Sequence, residues 1–372
     1  MRVIAVFHDN DIYSGATRSF LSNVKYLKEK GIDVYAIVPQ KKGNLVEQLE
    51  YIGVKSIRGF YGGVTYRKGS NVLSTVFRYY IGVMKLLISS IWCLVVYFKF
   101  KNVKIDWVYT NTSTLYIGSQ LAFMLDSKHI WHFREFGYLD QSFNRVFPML
   151  FKYLVKKSNN IIMISNALKE FYRKEFNICD NVSMIYNDIV IENKIKKEKH
   201  DGLNVLITGT ISEGKGQKLA LEAMKKIKEE DIRLYIAGQV NDYAKKLIKY
   251  AKKEKITNVE FCGFVKDMNS LRSKIDIALV CSKNEAFGRT IIEDMASGIL
   301  VIGNNAGAVP ELISGKVGLI FKENSVNDLV EKLLFAKRNW NDMVNVINAA
   351  RIYSNSFTKE RCAREIYKII TQ

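Results

Sequence analysis

At 372 residues the chain is too long for one core and ample for two, and 48% hydrophobic with 25% charged residues is ordinary globular composition. Three prolines, no long Gly/Ser tract and no solenoid-length repeat exclude a linker-dominated, disordered or repeat protein. A formal charge of +19 predicts attraction to anions, whether phosphorylated substrates, anionic lipid or nucleic acid.

The opening run Met1 to His8 is too short for a signal peptide and reads as a strand. Ser14-Gly15-Ala16 then opens a helical pattern over 17–30, and 33–39 is a second strand. Strand, glycine-bearing turn, helix and strand form a βαβ unit, with parallel pairing and a right-handed crossover. Asp9-Asn10-Asp11 matches the Asp-x-Asp pattern of metal-dependent sugar transferases, but directly after the first strand of such a unit it reads as a solvated turn. Residues 72–98 are mostly apolar, with a charge-free run of 13 residues from Leu86 to Phe98, against the roughly 20 that a bilayer span needs. Two readings fit: a buried helix packed on the first sheet, or a membrane-facing helix with Trp92, Lys85, Lys99 and Lys101 at headgroup level.

Further strands at 107–110, 128–131 and 160–165 complete an N-terminal doubly wound domain over 1–190. In Lys128-His-Ile-Trp-His-Phe-Arg-Glu135, strand alternation points His132 and Arg134 the same way, either as satisfied core groups or as contacts to sugar or acceptor. The Lys- and Glu-rich segment 191–201 reads as a linker. The α/β alternation restarts over 200–355, with strands at 203–208, 233–237, 258–262, 275–281, 300–303 and 317–321. Helices fall between them, and 356–372 is one more apolar-periodic helix. Five cysteines form no CxxC pair, and Cys262 and Cys281 read as small core residues of a reduced, cytosolic protein.

Two loops carry the chemistry. Gly209-Thr210-Ile-Ser-Glu-Gly-Lys215-Gly216 joins a strand to a helix; it has neither P-loop nor Gly-x-Gly-x-x-Gly spacing, yet such a turn can cradle a diphosphate, and Lys215 adds a point charge. Glu285-Ala-Phe-Gly-Arg-Thr-Ile-Ile-Glu293 places Glu285 at the carboxyl end of a strand and Glu293 about a turn into the next helix. That edge is where open α/β sheets bind ligands. Phosphate fits the helix start, and sugar hydroxyls can donate to the two carboxylates. No residue set has zinc-like spacing, and no serine elbow exists.

Together these elements resemble glycosyltransferase family 4 (glycosyl transferases group 1), the retaining nucleotide-sugar transferases of GT-B fold. Gly209…Lys215-Gly216, Ala237-Gly238, Gly263-Phe-Val, the Glu285–Glu293 element, Met295-Ala-Ser-Gly298 and Gly307-Ala-Val-Pro-Glu311 carry the likeness, with Gly15-Ala-Thr-Arg-Ser, His132-Phe-Arg-Glu and Ile185-Tyr-Asn187-Asp188 in the first half. The resemblance implies two Rossmann-like doubly wound domains facing an interdomain cleft, the last helix packing back toward the first domain. It implies a nucleotide-diphosphate sugar as donor and a glycan or lipid-linked acceptor in bacterial surface polysaccharide synthesis, capsule or lipopolysaccharide. It also implies no metal, no cofactor, and a cytoplasmic place at the inner membrane face, against an anionic membrane surface.

By position, Glu285 and His132 are the catalytic candidates, with Glu285 beside the donor sugar and His132 between donor and acceptor. Phe287, Gly288 and Arg289 offer backbone groups, and Glu293 accepts from the ribose diol. Lys215, Gly216 and Thr210 hold the diphosphate, with Gly15 opposite; Phe264 and Val265 frame the base; Arg134 and Asn187 lie on the acceptor side. Thr210 departs from the pattern, since many members carry Arg there; Lys215 is then alone unless Arg289 or Arg18 compensates. The rivals are a nucleotide-sugar epimerase on the same fold, a non-catalytic relative, and a membrane or nucleic-acid module; the basic residues are dispersed, without interleaved aromatics, so nucleic acid is not expected.

Overall fold

The computed structural model describes residues 1–190, 195–313, 316–358 and 360–372; positions 191–194 of the expected linker lie outside the described residues. Two compact units result, Met1–Asp188 with Glu360–Gln372, and Ile189–Lys359. The first begins β1 (Arg2–Val6), α1 (Gly15–Glu29), β2 (Asp33–Pro39), α2 (Leu45–Tyr51), β3 (Lys55–Gly59), β4 (Thr65–Tyr66) and α3 (Val72–Phe100). It continues β5 (Trp107–Asn111), α4 (Ile117–Met124), β6 (Lys128–Phe133), β7 (Asn144–Arg145), α5 (Pro148–Lys157), β8 (Asn160–Met163), α6 (Asn166–Phe176) and β9 (Val182–Met184). The second unit opens with β10 (Leu203–Thr208), α7 (Gln217–Lys226), β11 (Ile232–Ala237), α8 (Asp242–Lys253), β12 (Val259–Gly263) and α9 (Met268–Ser273). Then come β13 (Ile277–Val280), α10 (Arg289–Ala296), β14 (Leu300–Asn304), α11 (Val309–Leu312), β15 (Leu319–Phe321), α12 (Val326–Arg338) and α13 (Trp340–Ser354); α14 (Arg361–Thr371) belongs to the first unit.

The first unit is built on a parallel sheet ordered β3-β2-β1-β5-β6-β8-β9. Val3 to Phe7 are wholly buried, the near-continuous apolar run of a sheet covered on both faces. On one face Phe20, Val24 and Leu27 of α1 share a core with Cys362, Ile366 and Ile370 of α14. Asp188 holds the start of α14, accepting from the Cys362 and Ala363 N–H groups at 3.1 Å each. The edge strands β3 and β9 are half-exposed, so alternation in the sequence is too weak to reveal them.

Three expectations are corrected. The helix α3 is 29 residues long, and only Gly82, Leu86, Ser89, Cys93, Val96 and Phe100 are buried, a narrow stripe at three- and four-residue spacing. It is therefore not a buried core helix: Phe77, Ile81, Met84, Ile91, Leu94 and Phe98 stand exposed on its other faces. Among the described residues it is the one helix long and apolar enough to cross a membrane, with mean hydropathy 2.0 over its most apolar window. The Asp9–Asp11 turn is not fully solvated: Asn10 is buried and its Nδ2 donates to the Lys41 carbonyl at 2.7 Å. Cys262 is half-exposed on edge strand β12, whereas Cys281 is buried as expected.

The second unit carries a parallel sheet ordered β12-β11-β10-β13-β14-β15. Val205, Leu234, Leu279 and Ile302 pack against Leu221 and Met224 of α7 and Leu333 of α12. In both sheets the strand order reverses once near the middle, at β1/β5 and at β10/β13. Such a reversal leaves a crevice at the carboxyl ends of the two strands.

Candidate functional site

The second unit's reversal point is occupied by the two sequence-singled loops. After β10 the chain makes a short 3-10 turn, Glu213–Lys215, and enters α7 through Gly216 at φ +74°. A side chain at Gly216 would put its Cβ 2.1 Å from the Cys281 carbonyl oxygen, so this turn sits directly on the end of β13. The Lys283 N–H donates to the Gly214 carbonyl at 2.9 Å, tying the two loops together. Gln217 braces the turn from inside: its Nε2 donates to the Thr210 carbonyl at 3.1 Å and its Oε1 accepts from the Ser212 N–H at 3.3 Å.

Lys215 Nζ donates to Glu285 Oε2 at 2.6 Å, and Ser282 Oγ donates to the same oxygen at 3.0 Å. The Glu285 side chain is 16% exposed and that of Lys215 36%. The backbone of Glu285 is fixed from the far side. Its carbonyl accepts from the Ala308 N–H at 2.8 Å, and a Cβ at Gly307, φ +58°, would lie 2.6 Å from the Glu285 N and O. Gly288 N-caps α10, so Arg289 and Glu293 lie on its first two turns.

Glu293 Oε2 accepts from Arg272 Nη2 at 2.8 Å, while its Oε1 lies 3.7 Å from Arg289 Nη2. Arg272 also donates through Nε to buried Asp294 at 2.8 Å. Burial works against the Arg272 charge, but Asp294 and Glu293 outweigh it and raise its pKa. Sequence reading passed over Arg272; the available signal was the adjacent acids Glu293 and Asp294, which require a cation if their helix is buried. Phe287 is buried against Phe357, so its side chain is core and only its backbone can serve a ligand. Phe264 is 64% exposed and Val265 half-buried in the loop after β12; Thr210 is exposed beside β10. All the donor-side candidates of this unit thus lie along one sheet edge.

The first unit gathers the others. Gly15 is the first residue of α1, after β1. His132 is wholly buried near the end of β6, and its Nδ1 lies 2.8 Å from Tyr109 Oη and 3.2 Å from Arg134 Nη2. A guanidinium has no acceptor, so Nδ1 must accept and a neutral ring carries its proton on Nε2. Burial and then Arg134 push the His132 pKa well below the usual range, which makes the ring neutral. Among the described residues Nε2 is buried without a hydrogen-bond partner. Arg134 Nε donates to Asn111 Oδ1 at 2.6 Å and its Nη1 to Asn187 Oδ1, so Arg134 and Asn187 form one network.

Asn111 and His8 were not foreseen as members of this network, whereas Glu135 belongs to the stretch the sequence singled out. Asn111 Nδ2 meets His8 Nδ1 at 3.0 Å. Burial lowers the His8 pKa to about 4, against Asp9. Glu135 accepts from the Ser113 N–H and Oγ at 2.7 and 2.6 Å, yet burial raises its pKa to about 7. Among the described residues no three His, Cys, Asp or Glu side chains cluster to hold a metal.

Residues 13–192 match the family model Glycosyltransferase Family 4, and residues 190–353 match Glycosyl transferases group 1. An uncharacterized glycosyltransferase of Methanocaldococcus jannaschii is 27% identical over 222 residues, 59% of this chain and 61% of that protein. The phosphatidylinositol N-acetylglucosaminyltransferase GPI3 subunit of Saccharomyces cerevisiae is 24% identical, with 56% of this chain and 48% of that one covered. The O-antigen biosynthesis glycosyltransferase WclY of Escherichia coli is 28% identical, over 52% and 47%. The chain thus matches from about half to three-fifths of the length of these curated relatives. Among solved structures, Anabaena HepE in complex with UDP and glucose superposes with TM-score 0.79 at 16% identity, covering all of both chains. The lipopolysaccharide outer core galactosyltransferase WaaB, apo form, gives TM-score 0.72 at 15% identity, covering 100% of this chain and 99% of that one. These likenesses establish the fold as GT-B, with two Rossmann-like units.

Proposed function

Since the chain belongs to the glycosyltransferases of family 4 and group 1, we propose that it moves a sugar, with retention of configuration, from a nucleoside-diphosphate donor to a glycan or lipid-linked acceptor. The carrying observation is the Lys215–Glu285 pair seated at the β10/β13 reversal. A structural neighbour of this fold binds UDP and glucose, and one relative is named for O-antigen biosynthesis; both favour a nucleotide-sugar donor and a surface polysaccharide product.

The transfer breaks the bond between the anomeric carbon and the diphosphate oxygen, leaving negative charge on the leaving group and positive charge on the sugar. Lys215 and the N–H groups at the start of α7 stabilise the departing diphosphate, each such donor contributing about 2.7–4 kcal/mol in a dry site. A diphosphate competes with Glu285 for Lys215, and the carboxylate so released accepts from sugar hydroxyls and steadies the cationic ring. His132 Nε2–H donates to a ligand oxygen. Glu293, oriented by Arg272, accepts from the ribose diol; Phe264 and Val265 border the base. Lys215, with Arg289, supplies the cationic charge that a metal would bring, so turnover requires none.

The acceptor belongs to a membrane surface on the cytoplasmic side. The exposed apolar faces of α3 carry Arg78, Lys85 and Lys99, the composition of a helix lying in an anionic interface. Its buried stripe is fixed in the core with Val108 and Leu121, which favours a helix lying along the bilayer over one crossing it.

A thermal-shift panel of nucleotide sugars tests the donor reading, because a ligand of the native state alone raises the melting temperature. The best donor, incubated with and without candidate acceptors, should yield a glycoside only with acceptor. No shift by any nucleotide sugar refutes the reading, and an epimer formed without acceptor replaces it.

A further inference from the structure

At the amino ends of the first unit's strands, a cavity of about 700 Å³ opens between α3, α4 and α5. Its walls include Leu94, Met124 and Leu154, and its mouth carries Phe123 and Tyr153, both well exposed. Leu94 also belongs to the uncovered apolar face of α3, so this cavity is continuous with that surface. Lys128 and Lys157 line it as well, against one carboxylate, Asp126. Each ammonium lies over an aromatic ring, Lys128 Nζ 5.0 Å from the Trp107 centroid and Lys157 Nζ 5.8 Å from that of Tyr153. Lys128 starts β6 and Arg134 follows its end, so about 20 Å of strand separates this cavity from the His132–Arg134 network.

We infer that this cavity binds one anionic membrane lipid, its phosphate held by Lys128 and Lys157 and its acyl chain laid along Leu94, Met124 and Leu154. Volume, apolar walls and two cations against a single carboxylate together select an amphiphile with a negative head: a free phosphate would leave the walls wet, and a neutral chain would leave the excess positive charge unmatched. The neighbouring face of α3 brings the mouth to lipid. The lipid serves as a selective anchor, so anionic bilayers recruit this protein beyond what dispersed positive charge achieves. It stands on the cavity, not on the donor reading.

The test is titration calorimetry of full-length protein with dodecyl phosphate below its micellar concentration, with inorganic phosphate and dodecyl maltoside as comparators. Four proteins are compared: wild type, Lys128→Glu/Lys157→Glu, Ser90→Phe, and Lys246→Glu/Lys249→Glu on exposed positions of α8, which matches the charge change elsewhere. Ser90 lines the cavity and accepts from Gln120 Nε2 at 2.9 Å, so phenylalanine plugs it at the expense of one hydrogen bond. Wild type and the α8 variant should bind one dodecyl phosphate; reversal of the two lysines should weaken binding at least about 10-fold, and Ser90→Phe should abolish it. Flotation with phosphatidylcholine vesicles, with and without phosphatidylglycerol, should show the same ranking only when the anionic lipid is present. Equal affinity in all four proteins, inorganic phosphate binding as well as dodecyl phosphate, or no saturable site in wild type overturns the inference. A cooperative thermal unfolding transition close to the wild-type midpoint, read without ligand, shows that each protein is folded.

Discussion

Replacing Glu285 by Gln separates a chemical from a positioning role. The amide keeps the shape and can still accept from Lys215 and Ser282, so only the charge is lost. With side chains 36% and 16% exposed, the Lys215–Glu285 pair should contribute no more than about 1 kcal/mol to stability. That is about 2–4 °C for a unit of this size. The effect on turnover should be far larger. If the carboxylate faces the positive charge that develops on the sugar, its loss should reduce kcat about 100- to 1,000-fold, or about 2.7–4 kcal/mol. A double-mutant cycle with Lys215→Met then decides between routes. Should Glu285 act only by aiming Lys215, Glu285→Gln will add nothing in the Lys215→Met background. Should it act on the sugar itself, at least about 100-fold will persist there. Single-turnover rates at saturating donor, with melting temperatures for all four proteins, supply the numbers. A Glu285→Gln enzyme within twofold of wild type in turnover, at normal stability, refutes the chemical role outright.

Other perturbations follow from the same geometry. His132→Leu removes the Nε2–H donor at a wholly buried position; kcat should fall at least about 10-fold with nucleoside-diphosphate affinity unchanged, and an unchanged rate argues against the role. Gly307→Ala forces a Cβ to within 2.6 Å of the Glu285 backbone, so turnover should fall by up to about 100-fold through misplacement, with no change in the groups present; full activity would show that Glu285 tolerates movement. Glu135 titrates near 7 when folded instead of 4.5, because it is buried. Its ionisation therefore opposes folding progressively from about pH 4.5 to 7, and Glu135→Gln should gain stability over wild type across that window, reaching about 3 kcal/mol at pH 8. Urea titrations at pH 5 and 8 read the difference; the same gain at both values contradicts it. Arg272→Met leaves Asp294 and Glu293 without their shared cation and should destabilise by about 3–5 kcal/mol, visible as a lowered urea midpoint. A neutral outcome would mean the acids find another partner.

What the sequence disclosed and what it hid divide along the range of the interaction. The alternation of strands and helices, and the loops bearing Lys215 and Glu285, are written in local signals: apolar runs, a glycine, a charged group at the strand end. Asn111 carries no such signal. It becomes part of the His132–Arg134 network because β5 and β6 pair with Asn111 opposite His132, a register no local pattern encodes. Arg272 is likewise an ordinary arginine until α9 meets α10 and closes it over Glu293 and Asp294. The helix α3 shows the opposite failure. Apolarity over most of a helix's circumference ordinarily means burial, and the sequence offers that inference first. The fold supplies neighbours along one stripe only and leaves the rest uncovered. A face of that composition is costly in water, so its persistence over a 29-residue helix points to a second apolar phase. Lysines and an arginine along the same helix disfavour a second copy of the chain as that phase, because like charges would be brought together, and favour anionic lipid instead.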